Sequence, residues 1–409
     1  ATVLGSFSNQ IDNRKYLLDN YSEIVRSINQ YKAIPVSFSL QHKYKFSKKH
    51  YNKTGASINH TLHNWDVMKY NFETFRVDTN VTGIGQSTTF KAFTQSKFIL
   101  NDKLIVNVGV SYLTYSVNKE HSVEPRVGVT YINNKKQRFS LAVGKHSQIE
   151  HFATYMFKER DSLGVENFPN RNLKFIKAYH YIAGFKTKLF KNHHFTAEAY
   201  FQQLFDVPIA RQGSYSIINI SELEDLRPLT NDGKGYNYGL DLGLERFSSK
   251  GLYYMINASY FRSHYLAADN IWRSTEFDQQ FNVRFLAGKE YIVGEKKDKK
   301  NYVGWNTNLA YVGGRPYTPI DIDASIAAYE TIYDEARAFS LREDNLLFLD
   351  VTFTYKINKP KRTAVWSLQI KNIFSNGNAI YREYDRVLGR EVTVPSSSFF
   401  PNLSYKIEF

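Results

Sequence analysis

Between residues 36 and 46 the chain alternates in polarity: Val36, Phe38, Leu40, Tyr44 and Phe46 are separated by Ser37, Ser39, Gln41, Lys43 and Lys45, and only His42 is out of step. A period of two is that of a β-strand with two unlike faces. The same pattern runs through 236–246, where Tyr238, Leu240, Leu242 and Leu244 alternate with Gly239, Asp241, Gly243 and Glu245, and through 347–357. It closes the chain at Leu403, Tyr405, Ile407 and Phe409. Weaker versions lie near 53–62, 86–100, 103–117, 123–132, 138–150, 174–190, 193–209, 251–266, 276–290, 301–313 and 362–374. This predicts about 15 strands, with one more at 1–11. The connections alternate in length. Tight turns are expected at 101–102, 133–137, 191–192, 248–251 and 358–361, and long links at about 63–85, 151–173, 210–235, 314–344 and 375–397.

Composition decides where such strands live. Aromatic residues make up 16% of the chain, 30 Tyr and 30 Phe among them, yet mean hydropathy is −0.45 and 22% of residues are charged. A soluble core would hide its aromatics, whereas a transmembrane barrel shows them to lipid in girdles and keeps a polar lumen. No stretch approaches the roughly 18–20 apolar residues of a spanning helix, which leaves a closed barrel as the way across a bilayer. The expected fold is therefore all-β: an antiparallel up-and-down transmembrane barrel whose long loops face outside the cell and whose terminus is periplasmic. The competing fold is a soluble sandwich or propeller. Its strands would average about five or six residues, and a propeller would show a repeat of roughly 20–50 residues; neither is seen. Absence of cysteine fits an oxidising periplasm and equally many soluble bacterial proteins. Ala1 is not followed by a basic segment and an apolar core, so either a leader has been removed or the chain starts partway through its gene product.

A net charge of +14 invites a nucleic-acid reading. The clusters argue against it. Lys48-Lys49, Lys135-Lys136, Lys296-Lys297, Lys299-Lys300 and Lys359-Pro360-Lys361-Arg362 all fall in short connections and form no single helix face or groove. They read as solvated turn residues, with anionic headgroups a weak partner, and no nucleic acid is expected.

Four internal stretches, Glu124 to Tyr131 (EPRVGVTY), Gly235 to Leu242 (GYNYGLDL), Gly314 to Pro319 (GRPYTP) and Ile370 to Phe374 (IKNIF), resemble TonB-dependent outer-membrane receptors in order and rough spacing. The terminal stretch from Phe399 to Phe409 is similar to the last strand of outer-membrane barrels, which ends in an aromatic residue. The resemblance implies that the barrel-insertion machinery reads Tyr405, Ile407 and Phe409. It also implies a Gram-negative outer membrane, an amino-terminal plug, a 22-stranded barrel, a TonB complex acting through the plug, and contact with lipid and lipopolysaccharide. About 16 strands can be counted and no plug is found, so residues 1–409 are expected to be one domain, the carboxyl-terminal part of the barrel. The alternative is a self-contained 16-stranded channel.

Candidate chemistry is sparse. His60, His63, His146, His151, His180, His193 and His194 do not converge as metal ligands; His60 and His63 lie on opposite faces of an extended segment. No Gly-x-Ser-x-Gly elbow and no phosphate-binding glycine loop occur, so neither enzyme activity nor a cofactor is expected. The long loops are better suited to capturing an external small molecule or oligosaccharide. Segment 210–235 carries Arg211, Gln212, Tyr215, Glu222, Glu224, Asp225 and Arg227; segment 314–344 carries Arg315, Tyr317, Asp321, Asp323, Tyr329 and Tyr333. Rings stack on sugars or chelates, and guanidinium groups and carboxylates add charge-assisted hydrogen bonds. Arg211, Tyr215, Arg315, Tyr317, Tyr329 and Tyr333 are the expected ligand contacts. The resemblance implies TonB-energised import of a siderophore, haem, cobalamin or oligosaccharide. A passive porin lined by groups such as Lys43, Asp241 and Glu245, or a secreted β-rich binding protein, stands as the alternative.

Overall fold

The computed structural model describes residues 2–5, 8–17, 23–71, 76–160, 165–219, 226–296, 299–359, 361–377, 379–395 and 399–409. One antiparallel sheet of 18 hydrogen-bonded segments forms the wall. Two pairs of segments share a place, leaving 16 strand positions. β1 comprises Thr2–Gly5 and Ser8–Leu17, followed by β2 (Glu23–Ser47), β3 (His50–Asn71), β4 (Arg76–Ile99), β5 (Leu104–Tyr115), β6 (His121–Ile132), β7 (Arg138–Gln148) and β8 (Ile176–Lys188). Then come β9 (His193–Ala210), β10 (Leu229–Ser249), β11 (Leu252–Leu266), β12 (Trp272–Ser274 and Phe281–Lys296), β13 (Lys299–Val312), β14 (Leu346–Lys359), β15 (Arg362–Lys371) and β16 (Phe400–Glu408). Each pairs with its sequence neighbours, an up-and-down meander. Among the described residues no ladder joins β1 to β16.

The alternating faces point as the sequence pattern requires. In β2, Val36, Phe38, Leu40, Tyr44 and Phe46 are 47–60% exposed, because no second sheet covers them. Tyr238, Leu240 and Leu242 of β10, Phe353 and Tyr355 of β14, and Leu403 and Tyr405 of β16 continue this apolar exterior around the wall. The residues between them line the interior. The turns on one side are short. Lys250 and Gly251 form a two-residue hairpin with φ of 53° and 76°, the paired left-handed conformation that matches strand twist. A Cβ on Gly251 would lie 2.3 Å from the Glu290 carbonyl oxygen, so the turn needs glycine there.

Three expectations of length are corrected. Segment 63–85 is not a long loop: β3 runs to Asn71 and β4 starts at Arg76. The 210–235 link is shorter than expected because β10 begins at Leu229, and β2 begins 13 residues before the alternation becomes visible. The reason is physical. At about 3.3 Å per residue a 25-residue strand spans roughly 80 Å, while the bilayer needs only about 9–11 tilted residues. Beyond the lipid both faces meet water, the period of two is no longer required, and the hydrogen-bonded ladder continues without it.

The buried apolar cluster lies where loops cross the long-loop mouth. The 149–175 loop turns inward through the short helix α1 (Phe152–Tyr155). Phe152 stacks on His63 at 3.9 Å between ring centroids and meets Trp65 edge-on at 4.9 Å. Tyr155, Phe175, Val207 and Tyr265 are completely buried with them.

Candidate ligand face and lumen

The loops at this mouth are joined by polar latches. Asp278, with no side-chain exposure, is the densest. It accepts Arg262 Nε on both carboxylate oxygens at 3.2 Å, Arg342 Nη2 at 2.6 Å, Ser274 Oγ at 2.8 Å and the Ser263 amide at 2.9 Å. Burial would push this carboxyl up, but those donors more than offset it and hold it below the usual aspartate value. Arg342 also donates to the carbonyls of Asp278 and Gly314. A second latch centres on Arg382. Its guanidinium donates twice to Glu343 and once to Glu391, each at 2.7 Å, and lies 4.1 Å over the Tyr317 ring. Arg227 pairs with Glu335 at 3.5 Å, and its backbone carbonyl accepts Asn170 Nδ2 at 2.9 Å. The 149–175, 211–228, 267–280, 313–345 and 372–399 connections are thereby tied together.

Four of the six expected ligand contacts serve these latches. Tyr215 lies 3.9 Å under the Arg227 guanidinium; Arg315 pairs with Glu276 at 2.9 Å; Tyr317 lies under Arg382; Tyr333 donates to the Arg382 carbonyl at 3.0 Å. Arg211 is exposed, as is Tyr329, at 70%, on the left-handed cap of helix α2 (Ile322–Ala328). Asp321 caps the other end of that helix, accepting the Ala324 amide at 3.0 Å, and Asp323 is exposed. Glu222, Glu224 and Asp225 lie outside the described residues. Tyr317 and Tyr333 are brought together on Arg382, and Tyr215 joins them through Arg227, Glu335 and the 313–345 loop. Sequence reasoning missed Asp278 and Arg382, whose charged partners Arg262, Arg342 and Glu343 lie 16, 64 and 39 positions away and leave no local pattern.

The short motifs acquire structural roles. Gly314 opens the Pro316–Tyr317 and Leu341–Arg342 pair, and its amide donates to Asn345 Oδ1 at 3.1 Å. Asn372, at φ 49°, donates through its amide to Asp350 Oδ1 at 2.9 Å and ends β15 in a turn. Glu124 is buried and accepts Ser111 Oγ at 2.9 Å, while Arg126 Nη2 donates to the same hydroxyl oxygen at 2.7 Å. Tyr200 lies across Gly239, where a Cβ would come within 2.6 Å of its hydroxyl.

The lumen is polar. One recess of about 400 Å³ is walled by Asn257, Arg284, Asn306, Asn308, Asp350, Thr352 and Gln369. Another of about 450 Å³ holds Glu198 and Asp241, which stand opposite each other on β9 and β10. Lys43 and Glu245 alternate with apolar exterior positions and so share the inner face. The histidines fall into small groups: His60 bonds Thr88, His63 lies between Tyr31 and Ser87 with His151 4.6 Å from the same Tyr31 ring, His146 lies 4.4 Å from His180, and His193 contacts Tyr254. Among the described residues no group of three or more His, Cys, Asp or Glu could hold a metal ion.

The 149–175 loop begins with two buried titratable groups, Glu150 and His151. Burial pushes the Glu150 carboxyl up to about 7, and its Oε1 is buried without a partner. This folded value exceeds the ordinary 4.5, so docking weakens as pH rises from about 4.5 to about 7 and is flat above. Burial lowers His151 from 6.5, so its contribution is lost only as pH falls below that value. Hydrogen exchange in 149–157 should therefore accelerate, beyond the intrinsic rate, as pH rises to about 7 and show no further excess above it, and Glu150→Gln should flatten the difference. An unchanged pH response in that variant would exclude the carboxylate.

A polar-lined sheet with an apolar exterior and loops gathered over one mouth defines a transmembrane β-barrel of the outer-membrane type. A sequence model of the family described as TonB dependent receptor-like, beta-barrel, matches residues 3–373, and the chain belongs to that family. Its place is the outer membrane of a Gram-negative bacterium. The fold is shared with solved receptors. The ferric yersiniabactin uptake receptor FyuA from Yersinia pestis superposes with a TM-score of 0.62 at 13% identity, over 100% of this chain and 58% of that one. The ferric preacinetobactin receptor BauA from Acinetobacter baumannii gives 0.63 at 13% identity, over 99% and 59%. The ferric-catecholate import receptor Fiu from K12 E. coli gives 0.63 at 11% identity, over 95% and 56%. This chain thus spans less than two thirds of each. No curated protein matches the sequence.

Proposed function

We propose that this chain is the carboxyl-terminal part of the barrel of a receptor that imports a scarce external nutrient with energy delivered through TonB. The observation carrying this reading is the joint presence of a lipid-facing apolar wall and five interconnected loops over one mouth, in a member of this receptor family. The span of about 58% of FyuA supports the partial-barrel reading. An external siderophore, haem, cobalamin or oligosaccharide binds the loops, with Arg211 and Tyr329 the most accessible of the expected contacts and Tyr215, Arg315, Tyr317 and Tyr333 freed as the latches rearrange. Transport needs no covalent chemistry. Uptake of labelled ferric chelates, haem, cobalamin and oligosaccharides by cells carrying or lacking the gene tests this. One solute should depend on the gene and on a functional TonB complex. Gene-dependent uptake that survives loss of TonB, together with steady large conductance of the intact product in planar bilayers, would establish the passive porin instead.

The terminal strand is proposed as the assembly signal. Tyr405 presents its ring outward beside Trp366 at 4.4 Å, Ile407 pairs with Ala364, and Phe409 is 97% exposed. Deleting Phe409 should lower the heat-modifiable, membrane-inserted fraction severalfold with little change in synthesis. Normal insertion would remove Phe409 from this role.

A further inference from the structure

We infer that the short-turn rim is a basic collar that holds the phosphate groups of anionic phospholipids in the periplasmic leaflet, an interaction separate from ligand import. Five described tight turns on one side of the wall each present an exposed lysine, Lys49, Lys103, Lys136, Lys191 and Lys250, and the exposed Lys361 precedes β15 on the same side. Residues 48–49, 100–103, 133–137, 189–192, 250–251 and 361 together contain eight lysines and one carboxylate, Asp102. None of those lysines forms an ion pair among the described residues. Charge of one sign crowded on a single rim is self-repelling, and a stable arrangement calls for an anionic partner.

The exterior rings set the depth. Phe46, Tyr131, Phe139 and Phe190 are 44–71% exposed and lie within a few residues of Lys49, Lys136 and Lys191. Aromatic residues on a barrel exterior sit at the headgroup level, so the lysines beside them stand among phosphates. The opposite mouth differs. Arginines there meet internal carboxylates, as in Arg315 with Glu276 and Arg382 with Glu343, with Arg211 left exposed, and the 267–280 and 313–345 connections together hold more Asp and Glu than Lys and Arg. The basic excess is therefore one-sided, on the leaflet reached by the short turns.

The test uses the full-length gene product reconstituted in phosphatidylethanolamine vesicles containing phosphatidylglycerol, extracted gently, with retained lipid measured by mass spectrometry. Phosphatidylglycerol should be enriched severalfold over the bulk ratio. The enrichment should fall as salt shortens the Debye length below about 10 Å. Replacing the six lysines with glutamine should return retained phosphatidylglycerol to near the bulk ratio, given the roughly fivefold attraction expected per surface lysine. Heat-modifiability checks that the variant is folded; if it is not, the salt dependence of the wild type carries the test. Inorganic phosphate at millimolar concentration should not compete, and competition would assign the collar to free phosphate. Equal retention by a folded variant, or enrichment insensitive to salt, would overturn the inference.

Discussion

Replacing Asp278 with alanine should loosen the 267–280 and 313–345 connections together while leaving the wall intact. The substitution removes the carboxylate that accepts Arg262, Arg342, Ser274 and the Ser263 amide, and it strands two guanidinium groups in a partly desolvated space. Removing one partner of a buried ion pair costs about 3–5 kcal/mol, more than the pair itself contributes, because the remaining charge is left without compensation. The ladders of β2 to β4 make no use of Asp278. Hydrogen exchange should therefore rise across 263–280 and 314–345 and stay unchanged across 36–62. Asp278→Asn keeps the shape and part of the hydrogen bonding, so it should fall between the two. Uniform acceleration through the barrel would show that the latch supports the wall; no acceleration anywhere would show that it supports nothing. The pH sign follows from the depressed carboxyl: its contribution is present above the ordinary aspartate value of 3.8 and is lost only as pH falls through the lower folded value. The clasp should outlast mild acid.

Gly314→Val should have an effect of similar size by a different route. A Cβ on Gly314 would stand 1.7 Å from the Glu343 carbonyl oxygen and 2.5 Å from its carbon. Gly313 is no freer, with the Gln279 carbonyl oxygen at 1.8 Å. Both obstacles are backbone, so no rotamer change relieves them and one segment must move. The cost should reach or exceed the upper end of the roughly 1–3 kcal/mol typical of overpacking. Trypsin should cut the variant at Arg337 or Arg342 under conditions that leave the parent whole. Gly389→Ala is the control. Gly389 has open space around it and a φ of 63°, so only the left-handed strain of about 1 kcal/mol applies. Equal resistance of Gly314→Val and the parent would mean that the 313–345 loop does not pack on Glu343 in solution.

These two positions show how far the sequence could be read. Gly314 was visible as part of a GRPYTP stretch resembling the receptor family, and the structure supplies the reason: the chain passes closely under Glu343 before Pro316 and Tyr317 pair with Leu341 and Arg342. Asp278 was not visible. Arg262 and Arg342 lie on separate segments, and a buried acid with distant basic partners has no spacing rule. The same holds for Tyr317 and Tyr333, which stood out as rings in a polar loop. Their common partner, Arg382, comes from another loop.

Strand identity, facing and order were determined by the sequence alone, because lipid on one side and a polar lumen on the other impose alternation at every second residue wherever the wall crosses the bilayer. Val36 to Phe46 and Leu403 to Phe409 carry that constraint in their own side chains. Only the tertiary structure decided how far β2, β3 and β4 extend past the membrane, how α1 turns into the mouth, and which loop charges meet. Above the lipid no solvent boundary dictates the pattern. Contacts there join residues tens of positions apart, so their geometry exists only once the wall has brought the loops side by side.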